Sequence, residues 1–169
     1  MKSIIIFLLL GYNNEIPVKD LQKEINQFYS IDVQVRYAEM PATAYYKPRN
    51  RYRADSILRY LSYHYPGQRI VAITSKDIST SAYGYEDWGV MGLGSLINNV
   101  SITSTYRLKN KNIRDRLIKV ILHEMGHSYG IDHCKSGFPC LMQAGDHTVK
   151  AIDKEPKSMC SYCKSKKKG

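Results

Sequence analysis

No apolar stretch in this sequence is longer than seven residues, Ile4 to Leu10. A helix that crosses a bilayer needs about 20, so neither a transmembrane segment nor a membrane partner is expected. The same run follows Met1-Lys2-Ser3, and a positive residue before an apolar block resembles a short export signal. No small-residue cleavage site comes after it. An Ile-rich run of this length also reads as a buried strand, and that reading is preferred. A cytoplasmic protein is then expected, the alternative being an exported parent whose signal Met1 replaced. Internal repeats and Pro/Gly-rich linkers are also missing. The 169 residues, 43% apolar and 24% charged, suit one domain with a core of its own, and a monomer is expected.

Acidic residues are scarce: 15 Asp and Glu face 25 Lys and Arg, a net charge of +10. Such an excess can mark partners such as nucleic acid, anionic surfaces or acidic substrates. Four lysines fall in the last six residues, 164–169, and read as a flexible, solvated basic tail. The other tight basic cluster is Arg49 to Arg53. A bias this local gives no expectation of a specific nucleic-acid partner.

The pattern of what remains is α/β. Ile4 to Leu10 is the first strand. Pro17 to Tyr29 reads as a helix, with Pro17 in the first turn and Val18, Leu21, Ile25 and Phe28 on one face. Ile31, Val33, Val35 and Tyr37 alternate as a half-buried strand. Residues 39–50, with Pro41 and Pro48, look irregular. Arg53 to Tyr63 reads as a second helix with Ala54, Ile57, Leu58 and Leu61 inward, ended by Tyr65-Pro66-Gly67. Arg69 to Thr74 and Val100 to Thr105 are further strands. This alternation of strands and helices predicts a mostly parallel sheet. Gly84 to Gly94 is rich in glycine and aromatics, and its part Gly89 to Gly94 reads as an edge strand or a loop crossing a cleft.

Asn112 can cap a third helix, which Asp115 favours in its first turn. Ile113, Leu117, Ile121 and Met125 form its apolar stripe, widened by Ile118 and Leu122. Gly130 is its expected stop. The helix ends in His123-Glu124-Met125-Gly126-His127. Residues four apart share a helix face, so His123 and His127 can reach one tetrahedral ion at ~2.0–2.1 Å. Glu124 flanks the pair, where a carboxylate can take a proton from a water activated there. Gly130 permits a reversal that returns His133 as a third ligand. The run His-Glu-x-x-His-x-x-Gly-x-x-His is the metzincin signature of a zinc peptidase, with a fourth zinc position left for water.

The chain has few cysteines, only Cys134, Cys140, Cys160 and Cys163. Two disulfides are one reading. A structural zinc held by four thiolates is the other and is preferred, because Cys160-x-x-Cys163 has the spacing for it. Two zinc ions are therefore expected. The second would anchor residues 143–163, which have little apolar content.

Taken in order, His123 to His133, Cys134, Cys140-Leu141-Met142 and Cys160-Ser161-Tyr162-Cys163 resemble the archaemetzincin family of metzincin-like proteases. Tyr52-Arg53-Ala54-Asp55 and Ile73-Thr74-Ser75-Lys76-Asp77-Ile78 are similar to upstream segments of that family. One departure is the five residues, Lys135 to Pro139, where the family places four; Gly137 and Pro139 can absorb the extra one. The resemblance implies a single catalytic domain over residues 1–163. Residues 1–130 would carry the upper part with the active-site helix, and 131–163 a small lower part with the four-cysteine zinc. It implies that Met142 forms a Met-turn below the catalytic zinc. It also implies that Gly89, Val90, Met91 and Gly92 border the substrate cleft, where an extended peptide can pair with the edge. Trp88 and Tyr85 are candidate cleft walls. The expected activity is zinc-dependent hydrolysis of peptide or protein substrates, exo- or endopeptidase unassigned. The alternatives are a catalytically weak zinc-binding regulatory or peptide-binding protein and, further off, a nucleic-acid-binding zinc protein.

Overall fold

The computed structural model describes residues 4–108, 111–145 and 148–166. In chain order the elements are β1 (Ile4–Leu10), α1 (Val18–Tyr29), β2 (Asp32–Ala38), β3 (Tyr45–Tyr46), β4 (Arg51–Arg53), α2 (Ala54–His64), β5 (Arg69–Thr74), β6 (Ile78–Ala82), β7 (Tyr85–Val90), β8 (Gly92–Gly94), β9 (Val100–Ser104), α3 (Ile113–Ser128), α4 (Val149–Lys154) and α5 (Ser161–Ser165).

Five strands form the main sheet in the order β2-β1-β5-β9-β8. β1 pairs in parallel with β2 and β5, and β5 with β9, while β8 runs antiparallel along β9. Parallel neighbours need long crossovers, and α1 and α2 supply two of them. The alternation along β1 explains its unbroken apolar run. Ile5, Phe7 and Leu9 enter a core shared with α1, α3 and the C-terminal segment, and Ile6, Leu8 and Leu10 enter a second core shared with α2. A strand covered on both faces has no polar side to show.

Some details differ from the sequence reading. Pro17 stands at the N-cap of α1 rather than inside its first turn. Tyr37 is 79% exposed, while Val33 and Val35 of edge strand β2 pack on the first core and Ala38 on the second. Asn112 starts α3, but its side chain makes no cap bond and reaches Asp153 instead. Lys164 and Ser165 belong to α5, so the expected tail is helical at its start, and residues 167–169 lie outside the described residues. No described helix is long and apolar enough to cross a membrane.

The larger difference is a second sheet, β3-β4-β6-β7, built partly from residues expected to be irregular. Strands of two or three residues carry too little periodicity to be read. What holds this sheet is the Arg49–Arg53 cluster. Arg51 Nε lies 3.2 and 3.1 Å from the two Asp87 carboxylate oxygens, and its Nη2 also donates to the Asp87 carbonyl at 3.0 Å. Nη1 of Arg51 reaches Asp77 at 3.5 Å. Arg53 donates to Ser81 at 2.8 Å and to the Glu86 carbonyl. Two basic side chains from β4 thus clamp the β6–β7 hairpin.

Burial alone would raise the Asp87 carboxyl. Hydrogen bonds from Arg51 and Ser79 and the charges of Arg51 and Arg53 outweigh it and hold the group below its ordinary value. A depressed folded-state pKa contributes stability that is complete above the unfolded value and is lost as pH falls through the folded one. Arg51→Met should cost about 1.5–3 kcal/mol at neutral pH by removing the charge-assisted hydrogen bonds on half-buried Asp87, which then keeps only Arg53 at 3.5 Å and Arg49 at 4.0 Å. It should also flatten the acid-side fall in stability, read from urea midpoints between neutral pH and about pH 3. Parallel pH curves for the two proteins would contradict this assignment.

Candidate active site

Helix α3 fixes the site by the way it ends. Gly130 adopts φ 76°, the left-handed conformation that glycine takes without strain. The Gly130 N–H donates to the His127 carbonyl at 2.7 Å, and the Ile131 N–H to the Gly126 carbonyl at 3.1 Å. This bond pair is the Schellman stop. The reversal brings the Ile131 carbonyl to 2.8 Å from His127 Nδ1. His123 Nδ1 lies 2.7 Å from the Leu141 carbonyl.

A carbonyl only accepts, so both Nδ1 atoms carry a proton, and in the neutral rings that a metal requires both Nε2 atoms present a lone pair. Those lone pairs face each other at 3.1 Å. Two nitrogens bound to one tetrahedral zinc stand about 3.3 Å apart, given Zn–N near 2.05 Å. Ring N–H groups anchored on backbone carbonyls are the usual support of metal-bound histidines. His133 completes the group, with all three ligand atoms within 4.8 Å of one another. Burial lowers the His127 pKa and favours the neutral form that a metal needs. The donors present therefore fit zinc.

Glu124 lines the same cleft as the three histidines. Burial raises its carboxyl to about 8, opposed by a hydrogen bond from the Gly94 backbone; a cation beside it would pull it back down. The approach of β8 to α3 depends on missing side chains. A Cβ on Gly92 would lie 2.6 Å from Glu124 Cγ, and one on Gly94 would lie 2.3 Å from the Glu124 carbonyl oxygen. The bonds Ser104 N–H to Met91 carbonyl and Ser95 N–H to Val100 carbonyl turn the odd positions of this segment toward β9. The backbone groups of Gly92 and Gly94 accordingly face the cleft.

The cleft has a volume of about 640 Å³ and is lined above by Gly89, Val90, Met91, Gly92, Leu93 and Gly94. Gly89 and Val90 belong to β7 and Gly92 to β8, so the expected single edge is two strands joined at Met91. Trp88 lines the cleft. Tyr85 does not; it is 62% exposed and leans on Trp88 with ring centroids 5.5 Å apart, and Tyr83 takes the expected place. Thr148, Val149 and Ile152 of the α4 region form the lower wall.

Met142 is fully buried at the third position of a turn closed by the Gln143 N–H on the Cys140 carbonyl, 3.1 Å. It packs on Gly126, where a Cβ would come within 2.4 Å of its sulfur. The same turn supplies the Leu141 carbonyl that orients His123, and the Met142 carbonyl accepts from the Cys134 N–H at 2.7 Å. The four cysteine sulfurs lie within 4.8 Å of one another, with Cys134 and Cys160 3.6 Å apart. Sulfurs around a tetrahedral zinc at ~2.3 Å are separated by about 3.75 Å. The Cys163 backbone N–H and the Ser136 hydroxyl bring Cys160 down to about 6, toward the thiolate. Within the Cys134–Cys140 loop Gly137 adopts φ 76°, the left-handed conformation. The sequence reading missed the parts of Gly126 and Arg107, which carry no local signal, and placed Gly94 only as the end of the Gly-rich edge.

A helix-borne imidazole pair, a third imidazole after a glycine reversal and a carboxylate in one cleft form the donor set of a metallohydrolase. Comparison with known proteins narrows the class. Peptidase family M54 matches residues 18–168. The chain is 28% identical to the archaemetzincin of Haloquadratum walsbyi, covering 88% of this chain and 94% of that one. It is 32% identical to that of Nanoarchaeum equitans, covering 80% and 73%. The crystal structure of archaemetzincin from Archaeoglobus fulgidus, complexed with malonate, superposes with a TM-score of 0.80 at 27% identity, covering 95% of this chain and 98% of that one. The chain belongs to peptidase family M54, the archaemetzincins, and is a zinc metallopeptidase acting on peptide or protein substrates.

The close seat of β8 on α3 is directly testable. Gly94→Ala should cost about 1–3 kcal/mol, because the obstacle is the α3 backbone and cannot rotate away. A lowered denaturant midpoint would register this, and an unchanged one would show that β8 sits further from the helix.

Proposed function

We propose that His123, His127 and His133 hold the catalytic zinc and that Glu124 is the general base of peptide hydrolysis. The observation that carries this is the approach of the His123 and His127 Nε2 atoms to 3.1 Å, with each Nδ1 on a backbone carbonyl. Two like dipoles held at that distance by backbone carbonyls favour a shared cation. Zinc, when bound, activates water and polarises the scissile carbonyl. Glu124 takes the proton from the attacking water and returns it to the leaving amine. Its side chain is held for this by the Gly94 N–H. The substrate lies extended along the cleft edge at Gly89, Val90, Met91 and Gly92, pairing with the outward backbone groups of Gly92 and the carbonyl of Gly94. In this reading the described residues up to 130 are the upper part of one catalytic unit and those from 131 to 163 its lower part, with Met142 beneath the metal.

Glu124→Gln should leave zinc in place and lower kcat by about a hundredfold or more. His127→Ala should instead lose one zinc from the elemental count. Wild-type turnover in Glu124→Gln would end the base assignment.

Cys134, Cys140, Cys160 and Cys163 hold a second, structural zinc in this reading. Their cluster is wired to the first site: Cys134 follows His133, and Cys140 precedes Leu141, whose carbonyl fixes His123. Cys140→Ser should therefore remove the structural zinc and also loosen the catalytic one by roughly 10–100-fold, the usual effect of losing an outer support. Chelator competition on the purified variant reads this. A catalytic zinc held as tightly as in wild type would show the two sites to be independent.

A further inference from the structure

We infer that Arg107 is a specificity residue that reads a carboxylate on the C-terminal side of the scissile bond. This rests on the cleft being the peptide site described above. Arg107 follows β9 and lines the same cleft as His123, Glu124 and His127. Its guanidinium lies over the Gly89 backbone, where a Cβ would meet one of its nitrogens at 2.2 Å. Glu124 lies against Gly92 in the same manner. Positions 89 and 92 are three residues apart with the bend at Met91 between them, so the two backbone points these groups lie over are at most about 10 Å apart along the edge.

The guanidinium is held from behind. Nε and Nη2 each lie 2.9 Å from Asp77, the side chain keeps 34% exposure, and Nη1 has no acceptor among the described residues. Asp77 does not neutralise it alone, because Arg51 shares that carboxylate. Across the whole cluster Arg49, Arg51, Arg53 and Arg107 share Asp55, Asp77 and Asp87, which leaves at least one positive charge in surplus. The other charged groups on the cleft, Asp132 and Glu155, come from the segment after α3 and not from the edge.

Strand direction assigns the side. Antiparallel pairing is the more stable, and a peptide so paired with β8 runs from the Gly94 end toward Gly92 and then Gly89. A bond placed over Glu124 then puts its second or third following residue under Arg107. A fixed, charged fork at that distance suits a carboxylate, as an Asp or Glu side chain or as a free C-terminus. The hairpin that the Arg cluster clamps would thus set which peptides fit as well as close the cleft.

The test starts from one peptide cleaved by the zinc-loaded protein and varies the second and third positions after the cut bond. One arm carries Asp or Glu there with an amidated end, a second ends there as the free acid, and a third is the neutral, amidated match. The free-acid arm separates a terminal carboxylate from a side chain. For wild type, kcat/KM should favour at least one carboxylate arm by roughly tenfold or more, mostly through KM. The preference should shrink with added salt. It should fall below twofold in Arg107→Gln and be partly kept in Arg107→Lys. Equal cleavage of all arms by wild type overturns the inference and leaves the roles of zinc and Glu124 untouched, and it requires no variant to fold. A preference that survives Arg107→Gln overturns the assignment to Arg107. Failure of wild type to cleave any peptide overturns the cleft reading beneath it.

Discussion

Two backbone carbonyls set the chemistry of this protein. Ile131 and Leu141 each accept a ring N–H, one from His127 and one from His123. Each bond fixes a tautomer and an orientation, and together they turn two lone pairs on one point. Neither carbonyl belongs to α3. Ile131 arrives through the glycine reversal that ends the helix, and Leu141 through a turn that follows a cysteine. The site is therefore made by how the chain leaves the helix as much as by the helix itself.

The second constraint is the closeness of a sheet edge to that helix. Gly92 and Gly94 have no Cβ, so β8 can rest on the Glu124 backbone and side chain. The same closeness turns the Gly94 N–H onto the carboxylate and leaves the edge open toward the cleft. Gly126 plays the matching part below, where Met142 fills the space a side chain would take. Glycines on both sides of α3 let the sheet edge and the Met142 turn approach the helix closely.

Much of this was legible in the sequence. The spacing of three histidines, a glutamate and a glycine predicted a site that the fold does bring together, and the apolar runs predicted the parallel sheet. The four cysteines were expected to converge, and they do. The β3-β4-β6-β7 sheet was not legible, because its short strands are stabilised by buried Arg–Asp pairs between distant positions rather than by an apolar pattern. Arg49 to Arg53 read only as a tight basic cluster; the fold shows that Arg51 faces Asp87, 36 positions away. Arg107 had no local signal at all, since its meaning comes from Asp77 and Gly89, which only the folded sheet brings to it.

X-ray absorption at the zinc edge of the purified protein tests the central claim most directly. Zinc on the three imidazoles and zinc on the four thiolates should give a mixed shell, nitrogen or oxygen at ~2.0–2.1 Å and sulfur at ~2.3 Å, with outer-shell scattering from imidazole rings. A spectrum of sulfur ligands alone would contradict it, because the two orienting carbonyls would then be serving histidines that bind no metal.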